Sequence, residues 1–453
     1  MRTVFFIFLA FLSGCSSIGK IENTSVKRLP VDEQRYSFEN YSMRHPTGDI
    51  IFLLAFSGGG TRAATLSYGV LEELRDTYYP VDGEQVSLLD EVDRISSVSG
   101  GSFTSAYYGL FGKAIFNDFK DVFLYKDVQG DLSSLIFGVF DMVQRMFSTA
   151  SRTELAINYY DKHIFQGKTF ADLRDSDGPF ILINASDLNS ESQFTFLQSE
   201  FDFLCSDISQ FKVARAVTAS SAVPILFPPV LLKRHNNCDY KKPDWLIKAE
   251  VQAETKPDKR INLSINALNF YLKKDNPAYV TLVDGGITDN LGLRTFLKNV
   301  QLKGGAREIY KKLNKNQKKP KYMVMIVVNA STTSDKNIGK TEVLPSISDT
   351  LLAMSDMQLH LYNTETSALL KKKFNLWAKS ISTDEEPIIP YFVDLDVSEI
   401  IEPKDRFFFN NVRTSFSLKK EEVDKLINLS KKMMHQNLEY QELLHQLKAV
   451  HSR

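Results

Sequence analysis

Only three cysteines occur among 453 residues, and none has the paired Cys/His spacing of a zinc site. No metal centre is expected, and nothing else in the chain calls for a cofactor. Charge of one sign is equally lacking: 55 Lys and Arg balance 55 Asp and Glu. A polyanionic partner is not indicated, so nucleic acid is excluded from the expected ligands. Internal repeats and low-complexity tracts are missing too, which removes repeat arrays and linker-like chains. What remains is an ordinary globular composition, with 43% hydrophobic and 24% charged residues. The length suits one large domain or two ordinary ones.

The N-terminus carries the address. Arg2 precedes an apolar run from Val4 to Leu12, too short for the roughly 20 residues that span a bilayer. A run of this kind fits the apolar centre of a secretory signal peptide. It ends in Leu12-Ser13-Gly14-Cys15, which resembles the lipobox of bacterial lipoproteins. On that reading residues 1–14 are removed and Cys15 becomes a lipidated N-terminus, held at a membrane by several acyl chains. Ser16, in place of Asp, resembles an outer-membrane address facing the periplasm of the bacterial cell envelope. An ordinary signal peptide is the alternative. With Cys15 lipidated, Cys205 and Cys238 remain, and an even remainder in an oxidising compartment predicts one disulfide. Two buried thiols are the alternative. Residues 15–48 are polar, lack sustained periodicity, and read as a tether.

From Asp49 the pattern changes. Ile50–Phe56 is a continuous apolar run, as expected of a strand buried on both faces of a parallel sheet. A glycine turn follows, then helical spacing through Leu66, Val70, Leu71 and Leu74. A second strand–turn–helix unit runs from Asp93 through Val98, Ser99, Gly100 and Gly101 to Phe111. Further strands are expected at Phe180–Asn184, Tyr279–Val283 and Tyr322–Val328. The alternation predicts an α/β fold with a mostly parallel central sheet flanked by helices. Its domain is expected over 49–395, followed by a helical C-terminal region over 396–453 whose Lys419–Val450 reads as a packed helix or helical pair. Lys311–Lys321 and Lys371–Lys373 read as solvated basic faces, with anionic headgroup docking as the alternative. Leu132–Phe147 is apolar on more than one face, which suits either a lid or a core helix.

Three turns carry chemistry. Ser57-Gly58-Gly59-Gly60-Thr61-Arg62 lies between a buried strand and a helix, where glycine N–H groups can converge on an anion. A phosphate or the oxyanion of acyl transfer would suit it, but the Lys-Ser/Thr of a nucleotide loop is missing. Ser97-Val98-Ser99-Gly100-Gly101 approximates the G-x-S-x-G nucleophile elbow, with Ser97 replacing the first glycine. Val283-Asp284-Gly285-Gly286 places a carboxylate at a strand end, where open α/β sheets put ligands. Alone, this aspartate is as readily a turn residue.

In that order, the glycine loop, elbow serine and strand-end aspartate resemble the patatin-like phospholipases. Asn184–Asn189, the Ala/Ser-rich Ala214–Pro224 with Phe227-Pro228-Pro229, and Thr414–Leu418 resemble further segments of that family. The likeness is best over residues 50–300. It implies a Ser99 nucleophile, Asp284 as base in a dyad without histidine, and an acyl-enzyme. Gly58, Gly59 and Gly60 would supply oxyanion N–H groups, and Arg62 would brace the loop or offset a headgroup phosphate. Gly100 and Gly101 complete the elbow. The implied substrates are phospholipid or lysophospholipid. For Asp284 to act near neutrality, burial must raise its pKa. Two alternatives remain: a Ser-Asp-His triad using His360, His435 or His445, and a lipoprotein that retains the fold only to bind lipid or assemble.

Overall fold

The computed structural model describes residues 19–137, 151–224, 226–313, 319–332, 342, 344–448 and 450–451. Cys15 and the second half of Leu132–Phe147 lie outside the described residues.

The apolar runs become the central sheet. Its strands are β1 (Ile50–Phe56), β2 (Val92–Val98), β3 (Phe180–Asp187), β4 (Ser192–Thr195), β5 (Val230–Lys233), β6 (Tyr279–Val283), β7 (Tyr322–Val328) and β8 (Ile389–Leu395). The order is β8-β7-β1-β2-β3-β6-β5, with β4 paired to β3. The five strands from β8 to β3 pair in parallel, while β6, β5 and β4 pair antiparallel. Nearly every residue of β1, β3 and β7 is buried, as expected for strands covered on both faces. The expected mixed α/β class is the one observed.

Helices cover both faces. Those that matter below are α1 (Gly60–Asp76), α2 (Gly100–Phe111), α3 (Val128–Phe137), α4 (Val213–Ser220), α5 (Asp244–Thr255), α6 (Lys259–Leu272), α7 (Ile347–Ile381), α8 (Lys420–Gln436) and α9 (Leu438–Leu447). The C-terminal stretch is thus a helical pair. It packs through Val423, Leu426 and Ile427, all buried, and α8 lies along α1. The 35-residue α7 includes the helical-looking charged segment around His360, but its length was not expected, because its apolar positions do not gather on one stripe.

The tether expected over 15–48 is corrected from residue 19 onward: this stretch belongs to the folded body. Ser37 caps a short helix, Phe38–Arg44, by accepting the Asn40 N–H. Tyr36 and Tyr41 are buried among Phe170 and Phe180. Asn23 is buried with its side chain bonded to both backbone groups of Lys233. Glu22 accepts from Arg215 at 2.7 Å, and Arg215 is itself buried and clasped by Glu154 at 2.6 and 2.8 Å. Side-chain-to-backbone bonds and isolated aromatic contacts leave no periodic signal, so polarity alone misled.

Among the basic tracts, Lys371 pairs with Glu439, Lys319 with Glu386 and Lys321 with Asp49. Cys205 and Cys238 form a disulfide that closes a 33-residue separation. Replacing both with serine removes a cross-link worth about 3–4 kcal/mol in the chain-entropy model. Urea unfolding of the double variant is expected to show a loss of that size, and an unchanged midpoint would refute it.

Candidate active site

The three glycine turns meet at the C-terminal edge of the sheet. Adjacent parallel strands β1 and β2 end side by side, which puts the loop after Phe56 against the turn after Val98. Strand β6 arrives from the opposite direction and pairs Ser186 with Val283 and Asp187 with Leu282. The antiparallel overlap brings the ends of β3 and β6 together, and Asp284 with them.

Ser99 sits at φ 48°, ψ −120°, before the first turn of α2. This left-handed backbone is costly for a side chain, by about 1–3 kcal/mol, and persists only where neighbours enforce it. Here the Ser99 N–H donates to Ser220 Oγ at 2.8 Å. The Ser220 hydroxyl in turn donates to the Asn184 carbonyl at 2.6 Å, and its own carbonyl accepts from Gly285 N–H at 3.0 Å. One residue of α4 therefore holds both the elbow and the aspartate turn. The Ala/Ser-rich segment was noted for its likeness alone; this double duty had no sequence signal. Ser97, which stands where a glycine was expected, buries its hydroxyl 2.6 Å from Ser105 Oγ and fits without strain.

Gly100 is required by close approach. A Cβ there would lie 2.0 Å from the Gly60 carbonyl oxygen. The Gly101 N–H ties the two turns by donating to Ser57 C=O at 3.2 Å. In the glycine loop, Gly59 and Gly60 have φ of 139° and 61°, and they open α1. The loop's division of labour differs from the expectation for Gly58. Its N–H donates to the Asn290 carbonyl at 3.0 Å, so it braces the loop instead of facing an oxyanion. Gly59 and Gly60 are left at the helix N-terminus, where backbone donors and dipole favour an anion.

Arg62 is also a correction, since it does not belong among the oxyanion donors. Its buried guanidinium donates to the carbonyls of Ala330 and Val412 and to Thr414 Oγ1, at 2.9, 2.6 and 2.9 Å. It fastens the glycine loop to the 412–418 segment, which Thr61 N–H also joins at Ser415 C=O. Of the two roles weighed for it, bracing is the one its contacts fit.

Asp284 accepts from the Gly286 N–H at 2.7 Å, with the Ser99 hydroxyl beside it. Burial pushes its pKa up to about 6, and these two polar neighbours pull only partly the other way. The carboxylate is thus a far better base near neutrality than a solvated aspartate. Asp289, five residues on, is buried too and raised to about 6, but the N–H groups of Leu293 and Arg294 and the Gln193 amide satisfy it. It shapes the turn.

Ser99, Asp284, Gly59 and Gly60 line a cleft of about 2070 Å³. Leu132 of α3, Val223, Phe227 and Phe270 give it apolar walls. His360 stands on its exposed rim; His435 instead bonds Glu73, and His445 is not among the lining residues.

The match to a family model settles the wider identity. The model for patatin-like phospholipases covers residues 54–297, more than half of the chain. The chain belongs to the patatin-like phospholipase family. Among solved structures, similarity is found to human GIVD cytosolic phospholipase A2, at 12% identity and TM-score 0.47, over 96% of this chain and 66% of that one. The same human enzyme with methyl γ-linolenyl fluorophosphonate and terbium chloride matches at 13% identity and TM-score 0.42, over 88% and 59%. This chain thus spans less than two thirds of those proteins. No curated protein matches.

The pKa of Asp284 sets a pH profile. If the ionised carboxylate is the working form, kcat/KM should rise with pH to a half-maximal point near 6 and then level. A profile flat from pH 5 to 8 would rule Asp284 out as the base.

Proposed function

We propose that this patatin-like protein is a serine hydrolase of membrane lipid esters, of the phospholipase A or lysophospholipase type, working through a Ser99–Asp284 dyad. The observation that carries it is the strained Ser99 beside a buried, pKa-raised carboxylate in the lining of one partly apolar cleft.

The steps follow from the groups present. Asp284 takes the proton as Ser99 Oγ attacks the ester carbonyl. Charge develops on the carbonyl oxygen at the N-terminus of α1, where Gly59 and Gly60 offer N–H groups; one such donor is typically worth about 10²–10³ in rate. The alcohol leaves with the proton, and the acyl-enzyme is then cleaved by water that Asp284 activates. The acyl chain lies along the apolar walls. We also propose that Cys15 is lipidated after removal of residues 1–14, holding the protein in the bacterial cell envelope, at the outer membrane.

Fatty-acid release from defined phospholipids and lysophospholipids tests the dyad. Ser99→Ala and Asp284→Asn are each expected to lose at least about 10³-fold in kcat. His360→Ala should retain most activity, since no step uses it. Wild-type-like hydrolysis by Ser99→Ala, or inactivity of His360→Ala in a folded protein, would overturn the dyad.

A further inference from the structure

Cleavage of an acyl-enzyme needs a water molecule held against the ester carbon, with one proton turned to the base. A water has two protons to direct, and Asp284 can receive only one of them. A second acceptor beside the dyad would fix the other.

Asn290 stands where that acceptor is needed. Its carboxamide is buried, yet the residue lines the cleft together with Ser99 and Asp284. The nitrogen end is committed, because Nδ2 donates to Ser331 Oγ at 3.2 Å. Ser331 is itself fixed: its Oγ also accepts from Asn363 Nδ2 at 2.9 Å, and its N–H donates to Asn329 Oδ1 at 3.0 Å, just past β7. The Asn290 backbone is committed as well, since its C=O accepts the Gly58 N–H at 3.0 Å. With Nδ2 drawn to Ser331, Oδ1 is the end turned to the dyad. No donor among the described residues bonds it. A buried amide oxygen left without a protein partner at the edge of a cleft is a place for water.

Two glycines locate this oxygen. A Cβ on Gly58 would lie 2.6 Å from Asn290 Oδ1 and 3.3 Å from Ser99 Cβ. One on Gly286 would lie 2.9 Å from Asp284 Oδ1 and 3.1 Å from Asn290 Oδ1. Asn290 Oδ1 is therefore within about 6 Å of both Ser99 Cβ and Asp284 Oδ1. One water making two O–H···O bonds of about 2.7–2.8 Å can bridge such a pair of acceptors. The bare Cα atoms at 58 and 286 keep the space beside Oδ1 clear.

We propose that Asn290 positions the water that cleaves the acyl-enzyme, Oδ1 accepting one of its O–H groups while Asp284 accepts the other. This role rests on the Ser99–Asp284 dyad. As the water oxygen bonds to the acyl carbon, its second proton passes to Asp284. The bond to Ser99 Oγ then breaks, and Asp284 returns that proton to the serine. The fatty acid leaves, and Asn290 exchanges no proton at any point. Attack by Ser99 on the substrate uses no water, so Asn290 serves the second half of the reaction and not the first.

The test is a single turnover of p-nitrophenyl butyrate with the enzyme in excess, quenched at intervals and read by intact mass. The butyryl mass on the protein grows at the rate of acylation and decays at the rate of deacylation. In Asn290→Ala, growth should stay within about twofold of wild type while decay slows at least about tenfold, the loss of one positioning hydrogen bond. Labelling of Ser99 by a fluorophosphonate should keep its wild-type rate. Ser331→Ala frees the amide nitrogen without altering Asn290, and should slow decay alone by a smaller factor of about threefold. A merely structural role would slow growth and decay together. That result in both variants, or wild-type decay in Asn290→Ala, overturns the proposal. Failure of the dyad reads differently: no chain then carries a butyryl mass, and Ser99→Ala still hydrolyses the ester.

Discussion

Backbone pressed on backbone, at the place where the ends of β1, β2 and β6 converge, is the constraint from which the site is built. A Cβ at Gly100 would meet the Gly60 carbonyl at 2.0 Å, and one at Gly285 would meet the Asn184 carbonyl at 2.3 Å. Turns that close leave no room for side chains between them. They also bury most of Asp284, leaving it open only toward the cleft, which is why its pKa is displaced. The same crowding enforces the left-handed backbone at Ser99, which no single hydrogen bond would hold. Packing, strain and basicity thus share one cause.

Polar scaffolding fixes the remaining freedom. Ser220 receives the elbow and accepts the aspartate turn, while Asn184 spans β2 and β3 by donating to Ser96 Oγ and Ser97 C=O. Thr195 and Thr295 both donate to the Asn184 side-chain oxygen. Every member of this cluster is buried and satisfied, the condition under which a polar network rigidifies instead of destabilising. Arg62 extends the scheme to the C-terminal segment, which is how residues 412–416 come to line a cleft whose elbow serine, Ser99, lies about 300 residues earlier.

What could be read from the sequence follows from these physical differences. Strands β1 and β7 announced themselves because burial on both faces demands unbroken apolar runs, whereas the polar β2 was legible only from the glycine turn and helix that follow it. The glycine turns were visible because positive φ and close approach restrict composition so strongly. The long helix α7, edge strand β5 and the packed stretch from residue 19 were not, since each is held by contacts with distant segments that leave no local period. Arg62 shows the limit most clearly. An arginine after a glycine loop suits either a brace or an anion, and its acceptors decide for the brace.

Gly58 makes the same point about function at the level of one hydrogen bond. Three glycines in a row offer three equivalent N–H groups on paper, yet the first is spent on Asn290, which lies just beyond the Asp284 turn. That bond ties the glycine loop to the segment that follows Asp284. A dyad has no third residue to orient its base, as a histidine is oriented in a triad. Here the orientation comes from the backbone: Gly286 N–H on the carboxylate, Ala222 C=O on the Asp284 N–H, and Asn290 C=O on the loop that faces it. In the proposed dyad, positioning by the main chain is what would let a short carboxylate suffice where a triad needs a longer relay.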